Sequence, residues 1–134
     1  MSEQVKRTIM VVDDNDDVRR LVKKVLERSG FGVVEAVDGE NALGLLDEGL
    51  VPDLVLMDIR LPGKFDGLET TSRLKDNSRM QRVPVVALSA SVLDRDRQQA
   101  LVSGCSGFIA KPIDIAALPA QIERFISRGT MTPR

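Results

Sequence analysis

The strongest constraint on the fold is a fivefold alternation between short apolar segments and stretches with helical spacing. The apolar segments are Thr8–Val12, Gly32–Ala36, Leu54–Met57, Val83–Leu88 and Gly107–Ala110. They carry few polar side chains, which is typical of strands that helices cover on both faces. Helical spacing follows the first segment at Val18, Leu21, Val22, Val25 and Leu26, and it follows the fourth at Val92, Leu93, Ala100 and Leu101.

A strand-helix repeat along the whole chain predicts an α/β fold. Right-handed crossovers then require a mainly parallel sheet with helices on both faces. A closed eight-stranded barrel needs about 250 residues, whereas this chain has 134. We therefore predict a doubly wound, five-stranded parallel sheet, with a ligand site beyond the carboxyl ends of its strands. We expect residues 1–134 to form one domain, with a core over about 6–128 and a flexible tail at 129–134.

The composition excludes several kinds of chemistry. The chain has no histidine, so it cannot hold a phosphohistidine, run a Ser-His triad or build an ordinary zinc site. Cys105 is the single cysteine, which excludes an internal disulfide and predicts a small packed residue. A net charge of -1 gives no reason to expect nucleic acid or a membrane surface as a partner. The short apolar runs and the polar start predict a cytoplasmic protein without membrane insertion.

Reactive side chains follow four of the five predicted strands. Asp13 and Asp14 follow the first strand, and Asp58 follows the third. Ser89 follows the fourth strand and Lys111 the fifth. Because the carboxyl ends of parallel strands meet at one edge of a sheet, we expect these five side chains to lie together.

Three carboxylates beside one ammonium group leave an excess of negative charge. Each like pair at ~4 Å costs from ~1 kcal/mol in water to ~4 kcal/mol near a protein surface. Such a site raises carboxyl pKa values or binds a divalent cation, and oxygen ligands alone favour Mg²⁺. Magnesium neutralises charge on a transferring phosphoryl group, and a carboxylate can form an aspartyl phosphate. The sequence therefore predicts a phosphoryl-accepting site with Asp58 as the nucleophile.

Each of these residues also has a simpler interpretation. An acidic pair before a helix often caps it, and we assign Asp16 and Asp17 to such a helix-terminal role. Ser89 could cap the fourth helix, and a Lys-Pro pair such as Lys111-Pro112 is common in turns. These separate explanations do not account for reactive groups at four strand ends in this order.

Four segments together resemble the receiver domain of two-component response regulators. They are IMVVDDNDDVRR, PDLVLMDIRLPG, VPVVALSA and GFIAKPID, and the similarity extends over about Lys6 to Arg128. The resemblance implies a flavodoxin-like sheet with strand order 2-1-3-4-5. It also indicates a stand-alone, single-domain regulator.

The resemblance further implies how the acidic site works. Asp58 accepts the phosphoryl group, and Asp14 binds Mg²⁺ directly. Asp13 contributes to the metal site, often through water. Another metal ligand is the backbone carbonyl of Arg60. By this resemblance the domain is not a conventional enzyme, but it catalyses its own Mg²⁺-dependent phosphorylation and dephosphorylation at Asp58.

The remaining implied roles belong to the fourth and fifth strands. Lys111 pairs with a phosphoryl oxygen, and its bond to Pro112 is usually cis in the family. Ser89 donates a hydrogen bond to the phosphoryl group once Asp58 is modified. Phe108 occupies the aromatic switch position and turns inward with that change. The simpler alternative is that Phe108 packs the edge of the sheet.

The implied partners are a sensor histidine kinase or a histidine phosphotransfer protein, and a downstream target protein. Three alternatives stay open at this point. The chain could be a receiver cut from a hybrid kinase or a longer regulator, or a pseudo-receiver that never carries phosphate. A phosphatase of the haloacid-dehalogenase type is disfavoured, because that family has a DxD motif after its first strand, where this chain reads DDND.

Overall fold

Five parallel strands form the sheet that the apolar segments predict. The computed structural model describes residues 6–90 and 93–130. Its strands are β1 (Thr8–Val12), β2 (Gly32–Ala36), β3 (Leu54–Asp58), β4 (Val85–Ser89) and β5 (Gly107–Ala110). They are ordered β2-β1-β3-β4-β5, and each adjacent pair is parallel. The predicted doubly wound, flavodoxin-like α/β fold is therefore confirmed.

Five α-helices connect and cover the strands in the described part of the chain. They are α1 (Asp16–Arg28), α2 (Gly39–Asp47), α3 (Gly67–Lys75), α4 (Asp94–Ser103) and α5 (Leu118–Thr130). Three of them have a polar N-cap residue. The side-chain oxygens of Asn15, Asp38 and Asp66 accept backbone N–H groups from the first turns of α1, α2 and α3. These caps provide partners for donors that have none inside a helix. They also place three helix starts near the carboxyl ends of the strands.

Alternate residues of each central strand enter opposite cores. In β1, Met10 and Val12 pack in the cluster that includes residues of α2, α3 and α4. Ile9 and Val11 pack in the other cluster, with residues of α1 and α5. Because successive strand side chains point to opposite faces, a strand between two cores must be apolar throughout. This explains why the strand segments show no alternation of polar and apolar residues.

The predicted helix faces were partly wrong. Leu21 is 46% exposed, and Arg19 is among the buried residues of α1 instead. Leu93 and Leu101 are also exposed, at 51% and 60%, so Ala100 alone is buried in α4. Val92 from that pattern lies outside the described residues. These differences follow from the rotation of each helix about its axis, which sequence spacing determines only coarsely.

Strand and helix ends also differ slightly from the predictions. β3 includes Asp58 and β4 includes Ser89, whereas the sequence pattern predicts that both residues follow their strands. β4 begins at Val85 instead of Val83. α5 extends to Thr130, and residues 131–134 lie outside the described part of the chain. Cys105 is free and buried after α4, as predicted. None of the helices in the described ranges is long and apolar enough to span a membrane.

Candidate functional site

The acidic residues predicted to converge do lie together. Asp13 directly follows β1, and Asp58 is the last residue of the adjacent strand β3. Asp14 is the next residue after Asp13. One carboxylate oxygen from each of the three lies within 4.8 Å of the others. Parallel pairing between β1 and β3 therefore brings residues more than forty positions apart into one cluster.

Lys111 joins this cluster from the far side of the sheet. It follows β5, which is separated from β3 by β4. Its Nζ lies 3.1 Å from Oδ2 of Asp13 and 3.3 Å from Oδ2 of Asp58. Its backbone N–H donates to the carbonyl of Ser89 at 2.8 Å. The bond from Lys111 to Pro112 is cis, as the resemblance implied.

Burial makes the charges of this cluster strongly interdependent. The side chains of Asp13 and Asp58 are buried, whereas Asp14 is exposed. Burial raises the pKa of Asp58, and the nearby Asp13 raises it further, against the opposing effects of the Arg60 N–H and Lys111. Burial alone would lower the pKa of Lys111, but its bonds and attraction to Asp13 and Asp58 more than offset this and raise it. One lysine therefore neutralises only part of the negative charge.

The donor set fits a hard divalent cation. The cluster offers oxygen ligands only, and their excess negative charge would be relieved by a cation between them. Asp13 is held by two contacts, since its Oδ1 accepts the N–H of Asn15 at 2.9 Å and its Oδ2 accepts Lys111. Oδ1 of Asp58 accepts the N–H of Arg60 at 3.0 Å. An acidic triad of this kind is typical of a Mg²⁺ site.

The two predicted switch residues lie in the neighbouring strands. Ser89 is the buried last residue of β4, one position beyond Leu88, which pairs with Asp58. It does not cap α4, because that helix begins after Leu93. Phe108 lies in β5, half-buried against the core, with the guanidinium of Arg97 5.4 Å from its ring centroid.

Sequence reasoning missed two residues that contact this site. A Cβ on Gly67 would lie 2.1 Å from the carbonyl oxygen of Asp58, so only glycine allows α3 to start this close to β3. The Asp-Gly pair before a helical pattern was the available signal. The second residue is Arg19, whose Nη1 donates to the carbonyl of Asp13 at 2.7 Å. The sequence signal for Arg19 was a charged residue next to the apolar stripe of α1, since a buried arginine needs partners.

A 2-1-3-4-5 parallel sheet that gathers three aspartates and a lysine at its carboxyl edge defines a receiver-type signalling domain. The sequence matches the response regulator receiver domain over residues 9–123. The chain belongs to this family. Membership places it in two-component signalling and implies a kinase partner in general.

Individual relatives agree with this assignment. The chain is 34% identical over 120 residues to the polar-differentiation response regulator DivK of Brucella anthropi, covering 90% of this chain and 96% of DivK. The signal receiver domain of a signal transduction histidine kinase from Syntrophus aciditrophicus superposes with a TM-score of 0.83 at 27% identity, covering 95% of each chain. Chemotaxis response regulator CheY4 of Vibrio cholerae shares the fold, with a TM-score of 0.84, 23% identity, and coverage of 90% and 99%.

Proposed function

We propose that Asp58 accepts a phosphoryl group from a sensor histidine kinase or a histidine phosphotransfer protein. The observation that carries this proposal is the position of Lys111, whose amine is shared between Asp13 and Asp58. A lysine that contacts two carboxylates can contact a transferred phosphoryl oxygen while it keeps its bond to Asp13. The carboxylate of Asp14 lies beside this pair and is open to solvent.

In this mechanism Asp58 acts as the nucleophile. Its carboxylate attacks phosphorus, a new P–O bond forms, and the bond between phosphorus and the donor breaks. The N–H of Arg60 fixes one carboxylate oxygen, and Lys111 provides positive charge where the phosphoryl oxygens arrive. Asp58 must be ionised to attack, so its raised pKa means that acidification stops the reaction at a higher pH than it would for an ordinary carboxyl.

The metal ligands in this proposal are Asp13, Asp14, Asp58 and the carbonyl of Arg60. Bound there, Mg²⁺ would neutralise charge on the phosphoryl oxygens. Asp13 and Asp58 are already oriented by backbone N–H groups, so little rearrangement is needed for these two ligands. Asp14 is exposed, so its carboxylate is open to an arriving ion.

Phosphorylation then alters the surface that a downstream target protein binds. The hydroxyl of Ser89 donates to the phosphoryl group, and Phe108 turns inward with that change. The added charge shifts an existing equilibrium between two conformations. We place this exchange in the cytoplasm, in a stand-alone regulator. The similarity to a receiver domain of a histidine kinase keeps the alternative of a receiver from a longer protein open.

Acetyl phosphate provides a direct test without a known kinase. The wild-type chain, incubated with acetyl phosphate and Mg²⁺, should gain the mass of one phosphoryl group, and Asp58→Asn should not. Asp53→Asn is a matched control, because Asp53 precedes the same strand at its other end and accepts the N–H of Thr8 at 2.7 Å. It should be modified like the wild type. No gain in the wild type, or an undiminished gain in Asp58→Asn, would contradict the proposed function.

A further inference from the structure

Arg19 connects three elements beside the acidic site. Its guanidinium donates to the carbonyl of Asp13 at 2.7 Å, to Oε1 of Glu35 in β2 at 3.1 Å, and to Oδ1 of Asp16 in α1. The side chain is only 10% exposed, although arginine is seldom buried without partners. The two carboxylates outweigh the effect of burial and raise the pKa of Arg19, so it stays charged.

The bond to Asp13 fixes one particular peptide group. The carbonyl of Asp13 belongs to the peptide that joins Asp13 to Asp14. On the other side of Asp13, its N–H donates to the carbonyl of Ala36 at 3.1 Å. The backbone is thus held on both sides of Asp13, which limits rotation of the peptide that carries Asp14. Since Asp14 is exposed, neighbouring side chains constrain it less, and its orientation depends strongly on this peptide.

We propose that Arg19 is a positioning residue that holds the peptide between Asp13 and Asp14, and thereby sets the affinity of the acidic cluster for a divalent cation. This inference rests on the proposed Mg²⁺-dependent function of the cluster. Arg19 does not contact the carboxylates of the cluster in this role. Partners that orient metal ligands typically change metal affinity by about 10- to 100-fold when they are removed.

Two other roles for Arg19 predict different results. If Arg19 acts only through its positive charge, its removal should strengthen cation binding, because a repulsive neighbour is lost. If it only ties α1 to β2, its removal should lower stability without changing the affinity for the cation. Positioning predicts weaker binding even when the charge is kept. Arg19→Lys therefore separates the roles, since one ammonium group cannot reproduce the planar fork of three bonds.

Binding can be measured without phosphorylation, by titrating the metal-free protein with MgCl₂ and following the NMR amide signals of Asp14 and Asn15. Arg19→Lys and Arg19→Gln should each weaken binding by about 10-fold. Arg20→Gln is the matched control, because Arg20 pairs with Asp17 in the same i, i+3 arrangement but is 75% exposed. It should bind Mg²⁺ within about twofold of the wild type, as expected for an exposed ion pair.

Two further readouts do not depend on affinity alone. Hydrogen exchange of the Asn15 amide, which donates to Asp13, should be faster in the Arg19 variants without any metal. With acetyl phosphate, the Arg19 variants should be phosphorylated more slowly than the wild type. Raising the Mg²⁺ concentration in proportion to the lost affinity should restore the wild-type rate. A loss that saturating Mg²⁺ does not restore would contradict positioning.

The outcomes separate this inference from the proposed function. No Mg²⁺ response in the wild type would overturn both. A normal wild-type response with unchanged or tighter binding in the Arg19 variants would overturn the inference alone. If both Arg19 variants fail to fold, Glu35→Ala provides a milder test. It removes one of the three hydrogen-bond acceptors of Arg19, and the Glu35 side chain is itself 34% exposed. This variant should weaken Mg²⁺ binding by about threefold, because Arg19 keeps its other two acceptors and positions the peptide less firmly. Unchanged affinity in Glu35→Ala would also contradict the inference.

Discussion

Two partly buried lysines lie at opposite ends of the sheet, and their ammonium groups have different kinds of partner. At the carboxyl end, Lys111 lies between Asp13 and Asp58, and these carboxylates raise its pKa. At the amino end, Lys75 donates to the carbonyl of Met80 at 3.0 Å and to that of Val83 just before β4. Burial lowers the pKa of Lys75, with only a weak opposing influence from Cys105.

The difference shows which end of the sheet is built for chemistry. Lys75 holds the loop before β4 by donating to its backbone carbonyls. These carbonyls carry no net charge, so no further cation is required there. The partners of Lys111 carry more negative charge than it can neutralise, and the cluster retains repulsion between Asp13 and Asp58. A site with uncompensated charge can bind a cation and a phosphoryl group, whereas a satisfied site stabilises the fold.

The largest expected effect comes from removing the lysine at the carboxyl end. Lys111→Met should slow phosphorylation by acetyl phosphate about 100-fold or more, because one donor to the transferring group is lost. Time-resolved intact mass at saturating Mg²⁺ measures the rate. Lys75→Met should stay within about threefold of the wild type, because this lysine has no part in charge stabilisation at the phosphoryl group. Similar rates for the two variants would remove the functional distinction between the two ends.

The next largest effect should appear in stability, at the other end. Lys75→Met should lower the free energy of unfolding by about 2 kcal/mol, because carbonyls at Met80 and Val83 lose a charged donor, and this loss outweighs relief of the burial that lowers the pKa of Lys75. Urea unfolding followed by circular dichroism measures this change. Gln81, whose side chain donates to the carbonyl of Lys75 at 3.1 Å, provides a milder control as Gln81→Ala. A Lys75→Met variant as stable as the wild type would show that water replaces Lys75 as the donor to these two carbonyls.

The smallest effect concerns the charge of Asp58 itself. Its folded pKa is raised above the ordinary value of 3.8, so the fold favours the protonated carboxyl. Stability from protonation is complete below the unfolded pKa and is lost as pH rises through the folded pKa. At neutral pH in EDTA, Asp58→Asn should therefore be more stable than the wild type.

Urea titrations across pH check this sign. The advantage of Asp58→Asn should disappear in acid, where the wild-type carboxyl is also neutral. Asp53→Asn should show no such gain, because Asp53 is exposed and accepts a backbone N–H. A less stable Asp58→Asn variant at neutral pH would mean that the attraction of Lys111 outweighs burial.

The sequence was most informative where function depends on strand ends. Asp13, Asp58 and Lys111 each lie at the end of an apolar run, and parallel pairing then determines their meeting. Arg19 and Lys75 were missed because the reach of a long side chain depends on how its helix packs. The exposure of Leu101 depends on the same rotation, which a short amphipathic pattern does not determine.

The central claim is that Asp58 alone among the three clustered aspartates accepts the phosphoryl group, whereas Asp13 and Asp14 act only as ligands of the cation. Borohydride reduces an acyl phosphate to an alcohol, so it marks the modified carboxylate for tandem mass spectrometry. After treatment with acetyl phosphate and Mg²⁺, the mark should appear at Asp58. A mark at Asp13 or Asp14, or no mark in a protein that has gained phosphate, would contradict this division of roles.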